Sequence, residues 1–177
     1  PFPGKLMQSH PRLTAVGSAL VVIAPDMSGN LWLQQYSNNA WLSAPVLVTS
    51  AYDKSNPVVA GLKLRSGPEY DLAERSSLVA SAVTVVYAAM GNGHKVLKVA
   101  SCVLSAGGLP APICNPPTTI DPGSTVFKPA IGTAVVSVPM GAPQRITKVT
   151  WMEQIGTSGQ VQVVSSNDDG TNRRTET

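Results

Sequence analysis

The chain has 177 residues, a net charge of +3 and 13% charged residues, against roughly 25% in an average soluble domain. That length suits one domain with a sizeable core. The mild charge, with no run of Lys or Arg, excludes a nucleic-acid footprint built from this chain alone.

Residues 1–12 contain Pro1, Pro3 and Pro11 without periodicity and predict an extended arm. Residues 13–24 predict a strand that ends at the turn signal Pro25-Asp26. Over residues 31–36, Leu31, Leu33 and Gln35 alternate with Trp32, Gln34 and Tyr36, which is strand periodicity. Ser37-Asn38-Asn39 predicts a turn. Residues 41–49 predict a further strand, with Pro45 placing it at an edge or a bulge. Residues 57–64 predict another strand.

Residues 68–76 predict the one helix. Pro68 suits a first turn, Glu69 and Asp71 favour the positive end, and Arg75 lies toward the negative end. In residues 77–89, Val79, Ser81, Val83, Val85 and Tyr87 predict one strand face and Ala80, Ala82, Thr84, Val86 and Ala88 the other. Gly91-Asn92-Gly93 tolerates positive φ and predicts a hairpin that returns through residues 95–104. Residues 107–123 carry Pro110, Pro112, Pro116, Pro117 and Pro122 and predict a long stiff loop at a surface or interface. Strands follow at residues 125–128, 133–139, 145–152 and 160–165. Residues 166–177 predict a polar, disordered C-terminal tail. The expected organisation is an arm (1–12), a β-sandwich domain (13–165) and that tail.

Between Leu13 and Tyr52 the only formal charge is Asp26. Between Ser76 and Phe127 there are only Lys95, Lys98 and Asp121. Soluble monomers generally need ionised surface, so a face this neutral predicts cover by partner chains. The alternative is an ordinary sandwich with Ser, Thr, Asn and Gln on its outer faces.

Chemical motifs are sparse. His10 and His94 have no second ligand or base at a useful spacing, and Gly-x-Ser-x-Gly and nucleotide-cradling glycine loops are absent. No catalytic residue, metal ligand or cofactor site is nominated. Asp53, Asp71, Asp168 and Asp169 are the acids available to hold calcium between subunits, but solvated turn and tail carboxylates are the simpler account. Cys102 and Cys114 fit no zinc spacing. They read as two unrelated thiols, with a single bridge left open. Trp32, Tyr36 and Trp41, with Asn38 and Asn39 between them, form a candidate ligand-binding set for a sugar ring. The competing reading places both Trp in a core or interface. No apolar run is long enough for a membrane helix.

The segment YDLAERSSLVASAVTVVY (residues 70–87) resembles the central part of jelly-roll capsid proteins from small icosahedral RNA viruses. Arg75, Val79, Ala80, Ser81, Val83, Val85 and Tyr87 carry the likeness, and residues 95–104 fit the following strand. The resemblance implies an all-β, eight-stranded antiparallel jelly-roll sandwich with one short helix. It implies a coat protein of a virion, with identical subunits as partners in a homo-oligomeric shell. Such proteins bind genomic RNA through a basic arm. This chain opens on Pro1 with no such arm, so RNA would be bound through a segment absent here. The runner-up expectation is a carbohydrate-binding β-sandwich module.

Overall fold

The computed structural model describes residues 11–26, 30–42, 44–49, 58–59, 62–63, 70–74, 81–91, 93–104, 111–155, 160–167 and 170–176. Those residues form an all-β, sandwich-like arrangement in which every strand pairing is antiparallel.

The first sheet is a meander of β1 (Arg12–Val16), β2 (Ala19–Pro25) and β3 (Leu31–Ser37). Its last edge is split into β4 (Ala40–Trp41) and β5 (Val46–Thr49), both paired with β3. The single strand expected over residues 13–24 is therefore a hairpin. Val16 pairs with Ala19, and Gly17 turns the chain at φ +57°. Asn38 and Asn39 both take positive φ in the β3–β4 turn, a conformation Asn tolerates. Pro45 lies in the interruption between β4 and β5, where its missing N–H costs no ladder bond. A two-residue pair, β6 (Val58–Val59) with β7 (Leu62–Lys63), follows.

The second sheet runs β8 (Tyr70–Glu74), β9 (Ala82–Gly91), β10 (His94–Val103) and β11 (Ile113–Cys114), with β12 (Thr118–Ile120) also on β10. Here the helix expected over residues 68–76 is corrected. Tyr70 pairs with Tyr87 and Glu74 with Val83, so residues 70–74 are a strand, and residues 68, 69, 75 and 76 lie outside the described residues. Tyr70 and Leu72 point into one core while the intervening Asp71 carboxylate accepts the backbone N–H of Ile131 at 3.1 Å. Ladder partners and a core on the Tyr70 side outweigh the weak preference of so short a segment for helix. Among the described residues there is no helix, and the strands number sixteen. The proline-rich stretch is also more ordered than a loop. Ile113, Cys114 and Thr118–Ile120 pair along β10, while Pro112, Pro116, Pro117 and Pro122 stay outside those strands.

The third sheet is β13 (Val126–Val136), β14 (Gln144–Ile155), β15 (Gln160–Asn167) and β16 (Arg174–Glu176). The two short strands expected at 125–128 and 133–139 are one strand with a bulge. Lys128 and Pro129 together oppose Trp151, and Lys128 takes φ +46°. A bulge of this kind normally places Gly in the left-handed position. Lys128→Gly is expected to raise stability by about 0.5–1 kcal/mol, the left-handed penalty less the added freedom of the unfolded chain, read as a higher urea midpoint with unchanged slope.

Nor is the tail a free end. Asn167 and Thr171 close a turn through a 2.9 Å backbone bond, and β16 pairs with β15.

The second sheet is the middle layer. Val83, Val85, Tyr87, Ala89, Ala100 and Cys102 face the first sheet, where Val21, Ile23, Leu31 and Leu33 meet them. Val86, Leu97 and Val99 face the third sheet and pack on Val126, Val149, Trp151 and Val164. This explains why residues 82–89 of β9 are all buried. From residue 82 to 88 the two faces read from sequence are both interior, whereas Ser81 is exposed and Val79 and Ala80 lie outside the described residues.

Tyr87 ties layers together through its bond to the Thr49 side chain, and burial raises its phenol above the usual value near 10. Below that pH the phenol is neutral folded and unfolded, so its contribution is complete. Above it the unfolded phenol ionises first, and stability falls as pH rises. Tyr87→Phe is expected to flatten this alkaline loss in thermal melts taken from pH 9 to 11.

Candidate functional site

Trp32, Tyr36 and Trp41 come together on one face. Leu31 and Leu33 point into the core, so the alternation of β3 puts Trp32, Gln34 and Tyr36 on the opposite face, where the two rings are half-buried and Gln34 is buried. Register brings Leu20 opposite Tyr36, Ala24 opposite Trp32, Tyr36 opposite Trp41 and Trp32 opposite Leu47. The Tyr36 and Trp41 rings meet edge to face, 5.1 Å between centroids. Trp32 and Trp41 pack over Val22 and Ala24 in a small cluster on the outside of the first sheet.

The one charge in this region holds Trp32 in place. Asp26 is buried, and its Oδ2 accepts the indole Nε1–H at 2.7 Å. The same carboxylate accepts Asn30 N–H at 3.0 Å and Asn30 Nδ2–H at 2.8 Å. Fixing the indole before anything binds lowers the ordering cost of a contact. Around the aromatics, Leu13 is 64% exposed and Leu20 and Leu47 are 44% exposed each. The face therefore has half-buried rings around a covered centre, where Gln34 is 1% exposed and Val22 and Ala24 are buried, and exposed leucines at its border.

A second exposed apolar surface was not singled out from sequence. The β13–β14 hairpin runs past the second sheet as an arm, and residues 132–144 are exposed or half-buried throughout. Its root is fastened: Thr133 Oγ1 donates to the Glu74 carbonyl at 3.0 Å. At the tip, Gly141 N–H bonds to the Val138 carbonyl at 3.1 Å and Met140 takes φ +60°. With Pro139 before it, this is a type II turn, whose third position favours Gly or Asn. Met140 is fully exposed, and Val135, Val136 and Ile146 are exposed beside it. The readable signal was the absence of any charge over residues 129–144 together with Val-Pro-Met-Gly as a turn.

The other candidates separate. His10, Asp53, Asp168 and Asp169 lie outside the described residues. His94 Nε2 meets Asp121 Oδ1 at 2.7 Å, and that same oxygen accepts Gly123 N–H at 2.9 Å, which makes the pair a hairpin-to-loop tie. Asp71 is engaged with β13, as described. Among the described residues no three His, Cys, Asp or Glu gather as a metal site requires. Cys102 and Cys114, left open above, are bridged across the β10–β11 pair. The sequence reading also passed over Glu153, a buried carboxylate serving four donors. Comparison with known protein families, curated proteins and solved structures returns no match.

Proposed function

We propose that this chain is a structural subunit that associates with identical copies into a closed shell, the role of a coat protein in a virion. The observation that carries the reading is the uncharged, exposed β13–β14 arm, together with the exposed Leu13, Leu20 and Leu47 of the first sheet, on a chain with few charges to keep it dispersed. Burying such surface releases water at about 25 cal/mol per Å² before ordering costs, and no ion has to be stripped of solvent. The work is surface complementarity, with no reaction assigned to any side chain. RNA, as cargo, would be held by a segment outside this sequence.

The eight-stranded jelly roll accompanies this reading as an expectation. A jelly roll interleaves strands distant in sequence, whereas these sheets are consecutive meanders. The proposal therefore rests on the surfaces and stands without that topology. Sedimentation velocity and electron microscopy of the purified chain, across salt and pH, test it. Multimers or particles are expected, and a strict monomer at high concentration overturns it.

A second reading, a carbohydrate-binding module, is favoured by one observation: the three half-buried aromatics share one face of the first sheet, with one ring fixed by Asp26. Rings so placed stack on sugar faces. Glycan-array binding that vanishes in a folded Trp41→Ala variant would establish it, and a blank array would remove it.

A further inference from the structure

We infer that the outer edge of β13 pairs antiparallel with the same edge of a second copy, joining two third sheets into one across a two-fold axis. This rests on the self-assembly reading and names the strand that carries it.

The edge is open along its outer half. β13 is the first strand of the third sheet, and among the described residues it pairs only with β14. The Ile131 N–H goes to the Asp71 carboxylate, so it points away from β14. Backbone alternation turns the N–H and C=O of Thr133 and Val135 the same way. The Thr133 and Thr147 hydroxyls lie 3.5 Å apart, as side chains do across a pair that exchanges no ladder bonds. β8 lies beside this edge at its root, through Asp71 and the Glu74 carbonyl. Beyond Thr133 no described strand pairs with it, and Ala134, Val135, Val136 and Ser137 are all exposed.

The edge also lacks the devices that keep edges apart. Sheet edges are ordinarily blunted by charge, by proline or by being very short. β16, at the far edge of the same sheet, has three residues and carries Arg174 and Glu176. β13 has 11 residues, and from Ala130 to Val138 the chain holds neither a charge nor a proline.

A second copy is the occupant these features select. An antiparallel edge repeats its donors and acceptors at one spacing, so a two-fold axis brings an N–H of each copy to a C=O of the other. Like charges set opposite each other repel, and residues 129–144 carry none. Past Thr133 and Thr147 the arm is a two-stranded ribbon open on both faces, with Val135 on one and Val136 and Ile146 on the other. A two-stranded ribbon is marginal alone, and pairing makes it four-stranded.

The test is Val135→Pro, with Val135→Thr beside it. The Val135 N–H points away from β14, so proline removes the outward donor and takes no ladder bond. Threonine keeps that donor and the β-branched shape and removes only apolar surface. Circular dichroism melts check that both fold. In sedimentation velocity, Val135→Thr is expected to associate as the wild type does, and Val135→Pro roughly tenfold more weakly or less. Hydrogen exchange of the wild type needs no variant: its Val135 amide should slow about tenfold or more from dilute to concentrated protein. Wild-type assembly that Val135→Pro leaves intact, or that leaves the Val135 amide exchanging at one rate, overturns the inference and leaves self-assembly standing. Equal weakening by both variants also overturns it, since apolar contact would then be the cause. A wild type that stays monomeric overturns both, and is the result expected if the edge takes a strand of a different protein.

Discussion

Glu153→Ala is expected to destabilise the fold by about 3 kcal/mol, from buried donors left without their charged acceptor. Glu153 is 2% exposed on β14. Its Oε2 accepts Ser124 Oγ–H at 3.1 Å and Trp151 Nε1–H at 3.2 Å, and its Oε1 accepts Gln162 Nε2–H at 2.6 Å and the Arg173 guanidinium. Truncation leaves the Trp151 indole N–H without its acceptor inside the third-sheet core. It also unties Arg173, the residue that leads into β16. Glu153→Gln keeps the shape and loses the charge, so it should cost less than alanine. Urea unfolding of both variants checks the order; equal stability to wild type for Glu153→Ala would show that the carboxylate is not an anchor. Exchange of the β16 amides should quicken in both variants, since Arg173 precedes that strand.

The second large effect concerns the bridge. Cys102 and Cys114 close a loop with a sequence separation of 12, which by loop-closure entropy stabilises the fold by about 3 kcal/mol. The paired variant Cys102→Ala and Cys114→Ala, or reductant added to the wild type, is expected to lower the melting temperature by roughly 6–12 °C. The loss should concentrate in β11, which has only two residues on β10 and is held there by the bridge and by the Asn115 N–H bond to the Ser101 carbonyl. An unchanged melt under reductant would count against the bridge as a stabilising element.

Turns and β-branched runs were the legible part of the sequence. The Gly91-Asn92-Gly93 hairpin, the Asn38-Asn39 turn and the two-faced pattern of residues 82–89 were all readable because each is set by local conformational preference and period. Residues 70–74 were not. Proline and acids upstream looked like a helix start, and what decides their state is the ladder offered by β9, which lies beyond the segment itself. Gly17 was overlooked because apolar residues flank it on both sides, hiding the hairpin inside one long run. The number of layers was also illegible. A strand buried on both faces tells that it is covered, and only the placement of Val126, Val149 and Trp151 against Val86 and Leu97 tells by what. As for the site, the sequence placed Trp32, Tyr36 and Trp41 close along the chain, but their common face depends on the β2–β3 and β3–β4 registers.

The order of the sheets along the chain bears on how the molecule is made. Each sheet is built from neighbouring strands, so the hairpins close short loops and can form early and quickly. The middle sheet emerges from synthesis with one side already sheltered and the other greasy until residues 126–167 arrive. During that interval Val86, Leu97 and Val99 are a sticky waypoint, and crowded, slow translation there favours clumping over completion.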